Sequence, residues 1–183
     1  MAGTNPFIQE WIIHVPPKNL GVAPSWNTII RHNSKEDYWI ICASDMCFNP
    51  GEAKRMADFA EKSHVENAMI CADGYSCFCM TKLGLEVVGD FDENIFPAYL
   101  EDSDHHYRLK LSGAKSCGFP DVKMIHGEAP HWGSSTINSN EKYSRANGIT
   151  HGRNFEYYRK KWGGDGGSEV FLTPFNNPAY SIK

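Results

Sequence analysis

Six consecutive residues, Tyr38-Trp39-Ile40-Ile41-Cys42-Ala43, form an unbroken apolar run of strand length. A strand with no polar alternation is covered on both faces, which predicts a central strand of a parallel sheet. Helix signals follow it. Pro50-Gly51 opens a segment in which Met56, Phe59 and Ala60 fall at helical spacing. Strand-like stretches recur at 68–72, 75–81 and 122–126, the first two around the turn Asp73-Gly74. Trp11-Ile12-Ile13-His14-Val15 reads as a further short strand stopped by Pro16-Pro17. Helices are predicted over 25–31, 101–111 and 152–162, with a short helix or turn over 83–88. The stretch 127–140 is polar and loop-like. Strands alternating with helices define an α/β class, and 183 residues fit one domain, 1–183, with 164–183 as its tail.

Composition narrows the function. The formal charge of −4 provides no strong positive field for phosphate polymers, so no nucleic-acid partner is expected; Arg159-Lys160-Lys161 is the one local basic patch. No apolar stretch approaches the roughly 20 residues of a bilayer span, and the N-terminus lacks a signal-peptide layout, so the expectation is a cytoplasmic protein without a membrane span. The six cysteines sit largely in apolar runs and read as buried free thiols. Cys77-Phe78-Cys79 lacks the spacing of a zinc knuckle.

Acidic residues mark the candidate site. Val88-Gly89-Asp90-Phe91-Asp92-Glu93 and Tyr99-Leu100-Glu101-Asp102-Ser103-Asp104 crowd carboxylates ahead of a helix that ends at Gly113. Ligands of open α/β sheets bind beyond the carboxyl ends of strands. Asp45 lies just past one strand and His126 closes another, which is a reason to place both at one site. A carboxylate there can hold Mg²⁺ or Mn²⁺, or serve as an N-cap. Acids in a first helical turn are favoured by the helix dipole, but Glu101, Asp102 and Asp104 exceed what capping needs, so one is expected to face a cleft as a general base. His131 is the alternative ligand to His126, and Trp132 is a sugar-stacking or a core residue. His105-His106 are expected on a solvated or partly packed helix face, since adjacent helical residues diverge.

Several of these motifs, in this order, resemble the family 2 glycosyltransferases of GT-A fold. Asn19-Leu20-Gly21-Val22-Ala23-Pro24-Ser25-Trp26-Asn27 looks like the family's N-x-G-x-x-x-x-x-N stretch. The run ending in Ala43-Ser44-Asp45, with Phe48 and Pro50-Gly51, looks like its metal-binding strand end. Gly89-Asp90-Phe91-Asp92-Glu93 is similar to G-x-F-D-E, and Glu101-Asp102-Ser103-Asp104 with Arg108 and Gly113 resembles E-D-x-D…R…G. Asn154, Tyr157-Tyr158 and Lys161-Trp162-Gly163 look like the closing segment of many members. The resemblance runs from about Asn19 to Gly163 and is nearest to the glycosyltransferase domain of chlorella viruses, for which the location would be the host cytoplasm.

The resemblance implies a GT-A-like, mainly parallel sheet flanked by helices. It also implies an inverting hexosyl or deoxyhexosyl transferase of glycan biosynthesis. The donor would be a nucleotide sugar, UDP-linked in the family's manner, and the acceptor a glycan hydroxyl. Mn²⁺ or Mg²⁺ would be held by Asp45 and His126. Asn19, Gly21, Asn27, Ser44 and Asp45 would lie along the donor nucleotide and its metal. Asp102, or less readily Glu101, would be the base, and Trp132, Tyr99 and His131 would meet the sugar or acceptor. Ala43 stands where the family's Asp-x-Asp has its first acid, leaving fewer metal ligands. The family's first strand and helix should precede Trp11, so the fold is expected without them, with a sheet edge exposed. Two other classes compete. A metal-dependent phosphoester hydrolase would need a denser acid cluster on strand ends than Asp45 alone. A non-catalytic carbohydrate-binding module would use Trp132, Tyr99 and Trp26 as stacking platforms.

Overall fold

A computed structural model describes residues 17–128, 131–132 and 140–180, residues 128, 131 and 132 through their backbone alone. The strand expected at 11–15 lies outside the described residues. The elements run α1 (Val22–His32), β1 (Tyr38–Cys42), β2 (Met46–Phe48), α2 (Glu52–Ser63), β3 (Met69–Asp73), β4 (Cys77–Thr81), α3 (Lys82–Val87), α4 (Glu101–Ser112), β5 (Ser116–Gly118), β6 (Met124–Glu128), β7 (His131–Trp132) and α5 (Glu141–Trp162), with a 3₁₀ turn at Pro174–Asn176.

The α/β class holds, but the sheet is mixed rather than mainly parallel. Four strands follow the order β1-β4-β3-β5, and a smaller sheet follows β2-β6-β7. Among the described residues only β3 and β5 pair in parallel; β1–β4, β3–β4, β2–β6 and β6–β7 are antiparallel. The cause is connection length. A short turn joins β3 to β4, which can only produce an antiparallel pair, whereas β3 reaches β5 through helices. The central position also differs from expectation. β4 is buried at every residue, while β1 buries Trp39 and Ile41 on one face and leaves Tyr38 and Ile40 partly covered.

Helices cover both faces of the larger sheet. One face packs β-strand residues Trp39, Ile41, Met69, Phe78 and Met80 against Ala23 and Ile30 of α1 and Leu109 of α4. The other sets Ile70, Cys77 and Cys79 against Met56 and Ala60 of α2. A third cluster, with Leu100, Tyr107, Tyr158 and Trp162, fastens α5 to α4. α1 begins at Gly21, whose φ is 83°; a Cβ there would stand 2.8 Å from the Phe96 ring and 2.9 Å from the Pro97 carbonyl oxygen, so only glycine fits. α5 starts eleven residues earlier than the pattern 152–162 predicts, capped by the Asn140 side chain accepting from Tyr143 N at 3.2 Å. Gly148 and Gly152 had obscured that first half, because glycine weakens a helical pattern.

β1 and β3 both pair antiparallel with β4, so they run in the same direction. Their carboxyl ends therefore lie at the same end of the sheet. Asp45 follows β1 in the turn to β2, and Asp73 closes β3.

Candidate active site

Asp45 and His126, 81 residues apart in sequence, meet: His126 Nε2 lies 3.4 Å from Asp45 Oδ1. The β2–β6 pairing causes this, since Met46 is the register partner of His126 and Gly127 N donates to Asp45 O at 2.9 Å. The other ring nitrogen, Nδ1, lies 3.0 Å from Asp73 Oδ2. His126 thus stands between two strand-end carboxylates. The Asp45 and His126 side chains are 17% and 20% exposed, and that of Asp73 is 46% exposed. Asp73 was read from sequence as a turn residue beside Gly74. Only its position at the end of an apolar run marked it, the same signal that marked Asp45. Among the described residues no group of three or more His, Cys, Asp or Glu side chains is arranged to hold a metal ion.

Two residues beyond Asp73, Tyr75 lines a cavity of about 300 Å³ together with Asp102, Ser103 and His106 of α4 and Gly166, Gly167 and Glu169 of the C-terminal tail. Asp102 is half-buried at the start of α4, and its Oδ1 accepts from Ser103 N at 2.6 Å and Ser103 Oγ at 3.3 Å. Glu101 points elsewhere: it is 6% exposed and its Oε2 has no hydrogen-bond partner among the described residues. Burial pushes its carboxyl up to about 7, the Asp102 charge adding to the effect and backbone N–H groups of Glu101 and Tyr99 opposing it. The two acids therefore divide, one lining the cavity and one enclosed. A cavity of similar size, about 320 Å³, lies against α2 between Arg55, Phe59 and Pro120 and holds none of the site residues expected from the sequence.

The His105-His106 pair also divides. His106 is exposed and lines the cavity, within the solvated or partly packed face expected, whereas His105 is wholly buried and departs from it. Burial, with Arg108 and His106 adding to it, holds the His105 imidazole well below its ordinary range, and the ring pairs with Tyr75 OH at 3.0 Å through Nδ1. Tyr75 is consequently anchored from beneath, and burial raises its phenol.

The carboxylate crowd at 90–104 has mostly another use. Asp90 and Glu93 both pair with Arg31 of α1. Asp92 receives Lys161 Nζ at 2.7 Å and Tyr157 OH at 2.8 Å. Burial would raise the Asp92 carboxyl, but Lys161, the Asn94 backbone N–H and Tyr157 outweigh it and hold it at about 2. Asp104 is fully buried against Arg108 at 2.9 Å, Lys161 at 2.6 Å and Trp162 Nε1 at 2.8 Å. Two members of the basic patch at 159–161 are engaged by carboxylates, Lys161 by Asp92 and Asp104 and Arg159 by Asp165.

The residues expected along a nucleotide differ in their surroundings. Asn27 is 0% exposed; its Nδ2 donates to Phe91 O and Glu93 Oε1, each at 2.9 Å, and its Oδ1 accepts from Phe91 N at 2.9 Å, so the amide builds the fold. Gly21 is buried against Phe96 and Pro97. Asn19 is exposed and accepts from Gly21 N at 2.8 Å. Ser44 is exposed in the turn beside Asp45. Tyr99 packs its ring on His151, 5.5 Å between centroids. Trp26, a candidate stacking platform, is partly buried and packs on Phe78 and Phe91 of the core, ring centroids 5.1 and 4.8 Å away. The side chains of His131 and Trp132 lie outside the described residues. Two thiols, Cys42 and Cys47, are exposed, against the expectation that all six are buried.

The fold and site define an α/β protein with carboxylates gathered at the strand ends of a mixed sheet. Over 56 residues the chain is 36% identical to a galactofuranosyl glycosyltransferase of Leishmania donovani. That stretch is 31% of this chain and 13% of the relative, so the match covers a small part of the larger protein. No protein-family profile and no solved structure matches the chain. Among the described residues no helix is long and apolar enough to cross a membrane.

Proposed function

We propose that this chain is a glycosyltransferase domain that moves a sugar from a nucleotide-diphosphate donor, UDP-linked, to a glycan hydroxyl. The observation that carries the reading is the Asp73-Gly74-Tyr75 turn. It joins the Asp45–His126–Asp73 cluster at one end to the cavity lined by Asp102 at the other. A donor diphosphate at the cluster would put its sugar toward the cavity, where an acceptor enters. The partial likeness to a galactofuranosyl glycosyltransferase supports the same class and makes UDP-galactofuranose the first donor to try.

On this reading the reaction is a single displacement. Asp102 takes the proton of the acceptor hydroxyl, the oxygen forms a bond to the anomeric carbon, and the bond from that carbon to the diphosphate breaks on the opposite face. Ser103 holds the Asp102 carboxylate through Oδ1. Two donors, the Asp45 carboxylate and the His126 imidazole, are of types that Mn²⁺ accepts beside the oxygens of a diphosphate and water. When bound it neutralises charge on the leaving diphosphate. Asp45 and His126 would hold it, with Asp73 fixing the imidazole by accepting from Nδ1.

Calorimetric titration of UDP, with and without Mn²⁺, tests the reading. Binding that needs Mn²⁺, and that weakens at least tenfold in D45N, is expected; absence of binding by the folded chain would overturn it. Asp73 also supplies the second strand-end acid that a phosphoester hydrolase needs, so that reading gains one observation. Release of free sugar or phosphate from the donor, with no product linked to an acceptor, would favour it.

A further inference from the structure

Cys42 ends β1 and Cys77 begins β4, and the two are register partners. At the next pair Ala43 N donates to Ser76 O at 2.7 Å, which makes Cys42 and Cys77 a non-hydrogen-bonded pair. Antiparallel pairs of that kind hold their Cα atoms about 4.5 Å apart, inside the window of about 4.4–6.8 Å that a disulfide spans. The sulfurs are in contact at 3.4 Å. Among the described residues no other two cysteine sulfurs are so paired. The burial of the two is unequal: Cys42 is exposed and Cys77 is 0% exposed. A reagent from solvent reaches the first and not the second, while the second reaches the first without any change of register.

We propose that Cys42 and Cys77 form a thiol–disulfide exchange site that takes low-molecular-weight disulfides such as oxidised glutathione. The Cys42 sulfur attacks one sulfur of the small disulfide; that S–S bond breaks, and one glutathione thiolate leaves and takes up the proton given up by Cys42. The Cys77 sulfur then attacks the Cys42 sulfur, breaking the mixed disulfide. The second glutathione leaves with the proton given up by Cys77. Two protein thiols are oxidised to one disulfide and one glutathione disulfide is reduced to two thiols. The bond would tie together the segments leading to Asp45, three residues after Cys42, and to the Asp73–Ser76 turn, just before Cys77. The inference stands independently of the proposed transferase activity.

The test is incubation of the reduced full chain with oxidised glutathione, followed by thiol counting in denaturant and peptide mapping. The expected result is a linked Cys42–Cys77 peptide that carries no glutathione, with both of those thiols lost; an adduct on the exposed Cys47 maps to its own peptide. C77S should keep glutathione on Cys42 as a stable adduct, and C42S should lose no thiol at Cys77. Retention of all six thiols by the wild type, or linkage between other cysteines, would overturn the proposal. So would equal glutathione retention on Cys42 in wild type and C77S. Cys42 is an exposed position, so the comparison of C42S with wild type decides the matter even if C77S fails to fold.

Discussion

At the scale of single residues, Glu101 and Asp102 are neighbours with opposite surroundings, and each carries its own prediction. Asp102 lines the cavity, so D102N should keep Mn²⁺-dependent UDP binding and lower transfer by about 10²–10⁴-fold, the usual worth of a positioned base. Full activity in a coupled UDP-release assay would mean that another group takes the proton. Glu101 is enclosed, and the fold favours its neutral form up to about pH 7 against an ordinary value of 4.5. Stability from that raised value is fully present below about pH 4.5 and is lost as pH rises through about 7. E101Q stays neutral throughout, so its urea-unfolding free energy should gain on that of the wild type as pH rises across that window, the opposite contribution of the depressed His105 imidazole being common to both. An unchanged pH profile in E101Q would place the titration on another group. Asp45 and Asp102 were legible as candidates because each occupies a position that sequence periodicity exposes, a strand end and a first helical turn. Asn27 was not legible as a buried tie, because its partners at Phe91 and Glu93 lie 64 and 66 residues away.

At the scale of elements, α4 and α5 are held together by buried charge as well as by apolar packing. Asp104 meets Arg108 within α4 and Lys161 and Trp162 of α5, all nearly excluded from solvent. Removing one partner from a buried ion network leaves the others desolvated and uncompensated, at a cost of about 3–5 kcal/mol. D104N should therefore lower unfolding free energy by that amount and speed amide exchange in the last turns of α5 before the rest of the sheet. A loss below about 1 kcal/mol would show that the apolar cluster of Leu100, Tyr107, Tyr158 and Trp162 holds α5 unaided. Sequence located α4 within a residue of its ends, since the acidic first turn and Gly113, at φ 67°, are local signals. It missed β2 and β5, three residues each, and β7, two residues inside the stretch 127–140 read as a loop, because strands so short have too few positions for a period to register.

At the scale of the whole molecule, the C-terminal tail completes the cavity. Val170 N and Phe171 N donate to Trp162 O at 3.0 and 2.9 Å, Tyr107 OH donates to Phe171 O at 3.0 Å, and Tyr158 OH donates to Glu169 at 2.5 Å. These bonds fold the tail back over α4, where Gly166, Gly167 and Glu169 face Asp102. A chain ending at Gly163 should lose about 2–4 kcal/mol of stability, at roughly 1 kcal/mol for each hydrogen bond forfeited. Its acceptor KM should rise while UDP affinity is unchanged; an unaltered acceptor KM would separate the tail from acceptor binding. Sequence alone determined the α/β class, most of the longer elements, and two of the acids that matter to the proposed chemistry. Each of these depends on periodicity and end signals within about a dozen residues. The tertiary structure decided the mixed sheet, the approach of Asp73 and Asp45 to His126, and the diversion of Asp90, Asp92, Glu93 and Asp104 into ion pairs. Those outcomes depend on which strand pairs with which and which cation each carboxylate meets, contacts between distant segments that no local pattern encodes.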